Sequence, residues 1–226
     1  MLAAVGTALA VVFAWRLPLA GMDGDRLLVT STPAGPAFEG ARIECGMYAA
    51  PGAIEKVQID GDIRWRTIGG QPPLGLCGAG LVDISAELVR LGIVDLAGRM
   101  LSADELDGAV PERVRAALTE REDGMAFTIS PGPDNRPVML TQRDVRELQL
   151  AKGAIRSGID LLLEHAQVDL AQLDEFVIAG GFGSYIDKAN AMRLGMIPRL
   201  DPAKLTFIGN GALAGARLAL VSRALR

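Results

Sequence analysis

This sequence predicts an α/β protein with a mixed sheet flanked by helices, and three observations carry that prediction. Two strand–glycine–helix units follow one another at the end of the chain, EFVIAGGFGSYIDKANAMRLG and LTFIGNGALAGARLALVSRAL. A long amphipathic helix stands directly before them. The composition is rich in glycine and poor in aromatics, with 27 Gly and only 4% Phe, Trp and Tyr. Small residues suit layers in which helices lie close on sheets and loops approach ligands. At 226 residues, half of them hydrophobic, the chain can build a full core. A chain of this length buries roughly 70% of its unfolded surface and needs no covalent staple.

The elements follow in order. Met1 to Ala14 form an apolar run broken only by Gly6 and Thr7. Three readings stand for it: a buried strand, a non-native start, or a targeting segment. The last lacks a positive leading region, and the run is short for a membrane span. Residues 26–30 (RLLVT) read as a strand that ends in the turn Thr32-Pro33-Ala34-Gly35-Pro36. Residues 52–70 read as a hairpin turning at Asp60-Gly61, with Val57, Ile59, Ile63, Trp65 and Thr67 in period two. A helix over Ala79–Leu91 would bury Leu81, Ile84, Leu88 and Leu91. The stretch 102–124 is polar, with one helix expected at Glu112–Arg121. A strand at 125–130 and a loop at 131–137 follow.

The long helix begins at Thr141, a credible N-cap, with Asp144 at the capping-box position three residues on. Its buried face is Val145, Leu148, Ile155, Ile159 and Leu162. The organisation is a segment 1–24 apart from one lobe over 25–226.

Charge and ligand chemistry exclude several classes. A net charge of -4 with scattered basic residues gives no electrostatic footprint for nucleic acid. Two cysteines, Cys45 and Cys77, and one histidine, His165, cannot assemble a zinc or iron–sulfur site. They read as thiols of a reducing, cytoplasmic compartment.

Three glycine turns have the form of anion or nucleotide contacts: Gly78 and Gly80 before a helix, Gly180, Gly181 and Gly183 after a strand, and Gly209 and Asn210 between a strand and the last helix. Glycines there let backbone N–H groups face a ligand, and the helix dipole favours negative charge. Each turn alone is also what tight turns and close helix packing require. The small residues Gly209, Ala212, Ala214, Gly215 and Ala216 read as a face for close packing. Asp83 and Asp187 read most simply as helix-start residues. Glu39, in the turn of GPAFEG, reads as a helix cap or a partner contact.

Taken in order, AGPAFEGARIECGM (34–47), APGAIEKV (50–57), TIGGQPPLGLCGAGLVD (67–83), LTQRDVRELQLAKGAI (140–155), VIAGGFGSYID (177–187), LGMIP (194–198) and IGNGALAGA (208–216) form one series. It resembles the C-terminal domain of reductive activators of corrinoid-dependent enzymes. The resemblance implies the second lobe of an actin-like, ribonuclease H-like (ASKHA) ATPase fold. It also implies a function: ATP hydrolysis coupled to returning Co(II) corrinoid to Co(I).

By this resemblance Gly180, Gly181, Phe182 and Gly183 contact adenosine, Gly209 and Asn210 lie nearby, and ATP with Mg sits between two lobes. Gln149 and Lys152 would approach the base or ribose, or simply form a solvated helix face. The partner would be a corrinoid protein or corrinoid-dependent methyltransferase, with no nucleic acid and no membrane. A homodimer or a companion chain would supply the first lobe, and a [2Fe–2S] domain is expected only in full-length relatives. The family's phosphate hairpin is matched only by Ala4-Val5-Gly6-Thr7-Ala8, which lacks the acidic residue, so the chain alone is expected to be a poor ATPase with no catalytic or metal-ligating residue of its own. A corrinoid-docking module without hydrolysis and a small-molecule kinase of the same fold are the alternatives.

Overall fold

The computed structural model describes residues 2–3, 9–15, 26–32, 35–180 and 185–221. β1 (Leu2–Ala3), β2 (Leu9–Trp15) and β3 (Arg26–Thr32) form an antiparallel sheet in that order. β2 and β3 pair over their whole length, from Leu9 opposite Thr32 to Trp15 opposite Arg26. The apolar start is therefore a strand pair, and strands on either side of residue 24 share one sheet. The degenerate phosphate hairpin at 4–8 lies outside the described residues.

An inserted layer follows. α1 (Gly35–Phe38) leads to β4 (Ala53–Ile59), β5 (Ile63–Thr67) and β6 (Gly75–Leu76), which pair in the order β5-β4-β6. β4 and β5 form the expected hairpin, with Ile59 opposite Ile63 and Gly61 at φ 71°. β5 is an edge strand, so Trp65 stays 39% exposed instead of joining the core. α2 (Gly78–Arg90) buries Leu81, Ile84 and Leu88, spaced three and four apart.

α3 spans only Glu112–Arg115, shorter than the helix expected to Arg121. The rest of that segment is β7 (Leu118–Arg121), which pairs with β8 (Gly124–Ser130). Gly124, at φ 121°, turns the chain so that Leu118 sits opposite Phe127. Packing a partly buried Leu118 against a fully buried phenylalanine outweighs the helical preference of a short polar run. β9 (Val138–Thr141), between the expected loop and the long helix, completes this antiparallel sheet.

α4 (Gln142–Ala166) is the longest element. Its capping box is formed as the spacing predicts: the Thr141 hydroxyl accepts from the Asp144 amide, and Asp144 Oδ2 accepts from the Thr141 amide at 2.9 Å. Val145, Leu148, Ile155, Ile159 and Leu162 are all buried, and α4 packs across β2 and β3. The helix stops at Gln167, which takes the left-handed conformation.

β10 (Phe176–Ala179), α5 (Lys188–Arg193), β11 (Leu205–Ile208) and α6 (Gly211–Val221) complete the fold. β10 and β11 are parallel, and β1 lies beside β10. The architecture is thus mixed α/β, with an antiparallel sheet (β1–β3), a parallel pair (β10–β11) beside it, and flanking helices. The small-residue run of α6 does not pack as expected: Ala214 and Ala216 are exposed, as are Leu213, Leu218 and Val221.

Asp144 ties the two layers as well as capping α4, because its Oδ1 accepts from the Glu44 amide at 2.9 Å. Asp144→Ala leaves two backbone donors without this acceptor. It is expected to cost about 2–3 kcal/mol in chemical denaturation, more than an ordinary exposed N-cap.

Candidate functional site

The parallel pairing of β10 and β11 sets two of the glycine turns side by side. Ala179 stands opposite Ile208, and the Gly180 amide donates to the Gly209 carbonyl at 2.7 Å. Glycine is required at 180 by the backbone, whose φ is 106°. Its N–H is already engaged and is not offered to a ligand. Gly209 differs. Its φ is not in the left-handed region, and a Cβ built there meets no atom within 4 Å. Neither conformation nor packing demands glycine at that exposed position. Asn210 uses its side chain to cap α6, accepting from the Leu213 amide at 3.0 Å. Gly181, Phe182 and Gly183 lie outside the described residues.

The third turn splits into two roles. Gly80 is a packing glycine: a Cβ there would fall 2.1 Å from the Ile54 carbonyl oxygen, so α2 lies directly on β4. Gly78 instead lines an open cleft of about 470 Å³ with Glu39, Tyr48, Glu55, Cys77 and Tyr185. Tyr185 is the first described residue after the glycine loop. Its ring and that of Tyr48 are 67% and 71% exposed, an unusual pair of open aromatic surfaces at one rim. Cys77 is the N-cap of α2 but makes no capping bond; its thiol donates to the Ile54 carbonyl at 3.3 Å. Glu39 follows α1 and caps no helix after it, since no regular helix follows before β4.

One polar network ties β4, α2 and the start of α5 together. Lys56 of β4 reaches Asp83 of α2 at 3.2 Å and Asp187 at 3.1 Å. Asn190 donates to Asp83 at 2.7 Å, and Asp187 caps α5 by accepting from the Asn190 amide at 3.1 Å. Asp187 is thus the helix-start residue it was read to be. Asp83 is not, because it sits inside α2, 2% exposed, as an ion-pair partner. Burial pulls the Lys56 ammonium down, but Asp83 and Asp187 outweigh it and hold its pKa above the ordinary value. Burial likewise raises Asp187, and the Asn190 amide with Lys56 more than reverses it, leaving the carboxyl below its usual range.

Gln149 and Lys152 are not brought to the glycine turns. Both line a separate cleft beside the C-terminal half of α2, which none of the glycine-turn residues lines among the described residues. Gln149 donates to the Ala97 carbonyl at 3.0 Å and Lys152 to the Leu194 carbonyl at 2.7 Å.

A family model described as the C-terminal domain of RACo, the ASKHA domain, matches residues 20–226. The chain belongs to this family. This ASKHA domain is 41% identical over 202 residues to the corrinoid activation enzyme RamQ of Eubacterium limosum, covering 88% of this chain and 34% of that protein. It is 30% identical over 198 residues to the [Co(II) methylated amine-specific corrinoid protein] reductase of Methanosarcina barkeri, covering 86% and 35%. A solved reductive activator for corrinoid,iron-sulfur protein superposes with a TM-score of 0.78 at 33% identity, over 99% of this chain and 34% of that one. The ASKHA domain thus spans about a third of the length of each of these relatives.

Sequence reading of this ASKHA domain missed Tyr48, Tyr185 and Glu55. Tyr185 had a signal, its place five residues after Gly180, whereas Tyr48 and Glu55 reach the cleft only through the inserted layer. Two outcomes follow from the geometry. Gly80→Ala should destabilise the domain by roughly 2 kcal/mol or more, since a backbone carbonyl must move, while Gly209→Ala leaves the melting temperature unchanged. Asp187→Asn should cost about 1 kcal/mol at pH 7. Because the folded-state pKa is depressed, that stability is complete above the unfolded carboxylate value of about 3.9 and is lost as pH falls through the folded value. Urea titrations of wild type and variant should therefore begin to approach each other below about pH 4 and coincide only beneath the depressed folded value.

Proposed function

We propose that this ASKHA domain is the nucleotide-binding lobe of an ATP-dependent reductive activator of corrinoid proteins, acting where Co(II) must be returned to Co(I). The observation that carries the reading is the side-by-side placement of the Gly180 and Gly209 turns at the ends of two parallel strands. Such strand ends, opening onto helix starts, are where α/β sheets take nucleotides. The names of the relatives support the corrinoid assignment, since each acts on or activates a corrinoid protein.

The residues of the tyrosine cleft suit the base and ribose better than the phosphates. Among the described residues no Lys or Arg lines that cleft, and the Glu39 and Glu55 carboxylates would repel a phosphate chain. The same carboxylates accept hydrogen bonds from an exocyclic amine or ribose hydroxyls, and Tyr185 or Tyr48 offers a ring for stacking. Gly209, crowded by nothing, leaves room for the sugar to approach the strand end.

Magnesium fits this domain less well. Among the described residues no group of three or more His, Cys, Asp or Glu side chains could hold a metal ion. Its shell would be phosphate oxygens and water, as is usual for nucleotide-bound magnesium. Cys45 and Cys77 are free thiols; the part assigned to this domain is nucleotide binding, with the [2Fe–2S] electron carrier expected in full-length activators. The electron passes to cobalt of the corrinoid substrate, and the domain's residues position the nucleotide whose hydrolysis drives that uphill step. A corrinoid protein or corrinoid-dependent methyltransferase is the partner, in the cytoplasm, with the facing lobe completing the nucleotide site. No helix among the described residues is long and apolar enough to cross a membrane.

Calorimetric titration of ATP–Mg into the purified chain tests the reading. Binding weaker than micromolar is expected, reduced about tenfold by Tyr185→Ala, the loss of one base–aromatic stack of ~1–3 kcal/mol. It should be abolished by Gly209→Val, with both variants as stable as wild type. ATP–Mg binding that is unchanged in both variants would overturn it.

A further inference from the structure

The geometry points to a second ligand site on this domain: a cleft that takes a small organic anion with an apolar body. It lies between the C-terminal half of α2, the N-terminal half of α4 and the turn after α5, with a volume of about 540 Å³. That is the size of ordinary small-molecule sites. Its walls are apolar, from Val89 of α2 and Leu148 of α4 to Met192 and Ile197 after the strand ends.

Two independent observations say that the occupant is polar at one end and negatively charged. The first is Ser85. It lines the cleft from the middle of α2, is 3% exposed, and its hydroxyl has no hydrogen-bond partner. A serine inside a helix ordinarily bonds back to the carbonyl one turn earlier. This one does not, and it is the one buried side-chain oxygen or nitrogen without a partner among the described residues. Buried hydroxyls are seldom left unpaired, so a ligand group is the natural acceptor.

The second is the charge balance. Lys152, Arg156, Arg193 and Arg199 all line the cleft, against Asp95 as the facing carboxylate, in a chain whose net charge is -4. Asp95 is engaged elsewhere, accepting from the Arg99 amide at 2.8 Å and pairing with its guanidinium. Arg156 is matched by Asp160 on the outer face of α4. Among the described residues Lys152 and Arg199 have no carboxylate, and the one that Arg193 feels, Glu87, is already paired with Arg90 at 2.7 Å. Arg193 donates to the neutral Asn190 side chain at 2.7 Å, Lys152 donates to the Leu194 carbonyl, and Arg199 has no protein partner among the described residues. Burial pulls the half-buried Lys152 ammonium below its ordinary pKa, with no carboxylate near enough to offset it. A carboxylate or phosphate monoester placed among Lys152, Arg193 and Arg199 would supply the missing charge, and its apolar body would fill the space lined by Leu148 and Met192. A polar atom of the same molecule then accepts from Ser85.

The site is separate from the tyrosine cleft, and the inference does not rest on the nucleotide reading. The test uses anilinonaphthalene sulfonate, an apolar anion, as a fluorescent probe of the whole chain, with phenylbutyrate and the neutral phenylbutanol as competitors. Phenylbutyrate should displace the probe at least tenfold more effectively than phenylbutanol, and saturating ATP–Mg should not displace it. Arg199→Ser, on an exposed side chain, and Lys152→Met should each weaken the probe about tenfold. Ser85→Ala should weaken it about fivefold while leaving the unliganded protein as stable as wild type or more so, because an unpaired buried hydroxyl is removed.

Equal displacement by the acid and the alcohol, or a probe indifferent to both charge substitutions, would overturn the proposal. So would displacement by ATP–Mg, which would assign the probe to the nucleotide cleft. Marked destabilisation by Ser85→Ala would show that the hydroxyl serves the fold, and it too would overturn the role given to Ser85.

Discussion

The packing of β4, α2 and α5 depends on the contact of one lysine with two aspartates. Lys56 belongs to the inserted layer, Asp187 to the segment that leaves the glycine loop, and Asp83 to the helix between them. A nearly buried carboxylate cannot be left unpaired without a large penalty, so Asp83 draws Lys56 and Asn190 onto itself. That contact holds α2 against β4 and α5. It thereby places the helix start beside Tyr185 on one side and Ser85 above α4 on the other.

The two clefts differ in kind because the two halves of α2 meet different neighbours. At its start, α2 lies so close on β4 that Gly80 has no room for a side chain, and the turn opens toward aromatic rings and carboxylates. Toward its end, α2 faces the basic side chains of α4 and of the turn after α5. One surface offers acceptors and stacking planes, the other offers unbalanced positive charge over an apolar wall. Both clefts share α2 as a wall, so a shift of that helix would alter both.

The glycine pattern shows how one residue type serves several purposes. Gly180 is needed for its backbone angle, Gly80 for helix–strand proximity, and Gly209 for neither. Only the last keeps the ligand explanation after conformation and packing have been considered. In the sequence these three turns look alike, because nothing local distinguishes a glycine that relieves strain from one that leaves a surface open.

Local chemistry determined what could be read in advance. The α4 capping box, its buried face, the β4–β5 hairpin and the two strand–glycine–helix units are interactions among near neighbours, and the order of motifs was enough to identify the family. The placement of Gln149 and Lys152 was not legible, since a helix residue's partner depends on which element packs across from it. Asp83 looked like a helix start for the same reason, with Lys56 standing 27 positions away. Tertiary structure alone decided that β7 forms in place of a longer helix, that Tyr48 and Tyr185 line one cleft, and that Ser85 lines another with basic side chains. Those outcomes arise from contacts between residues far apart in the chain, and their energies exist only once the layers have come together.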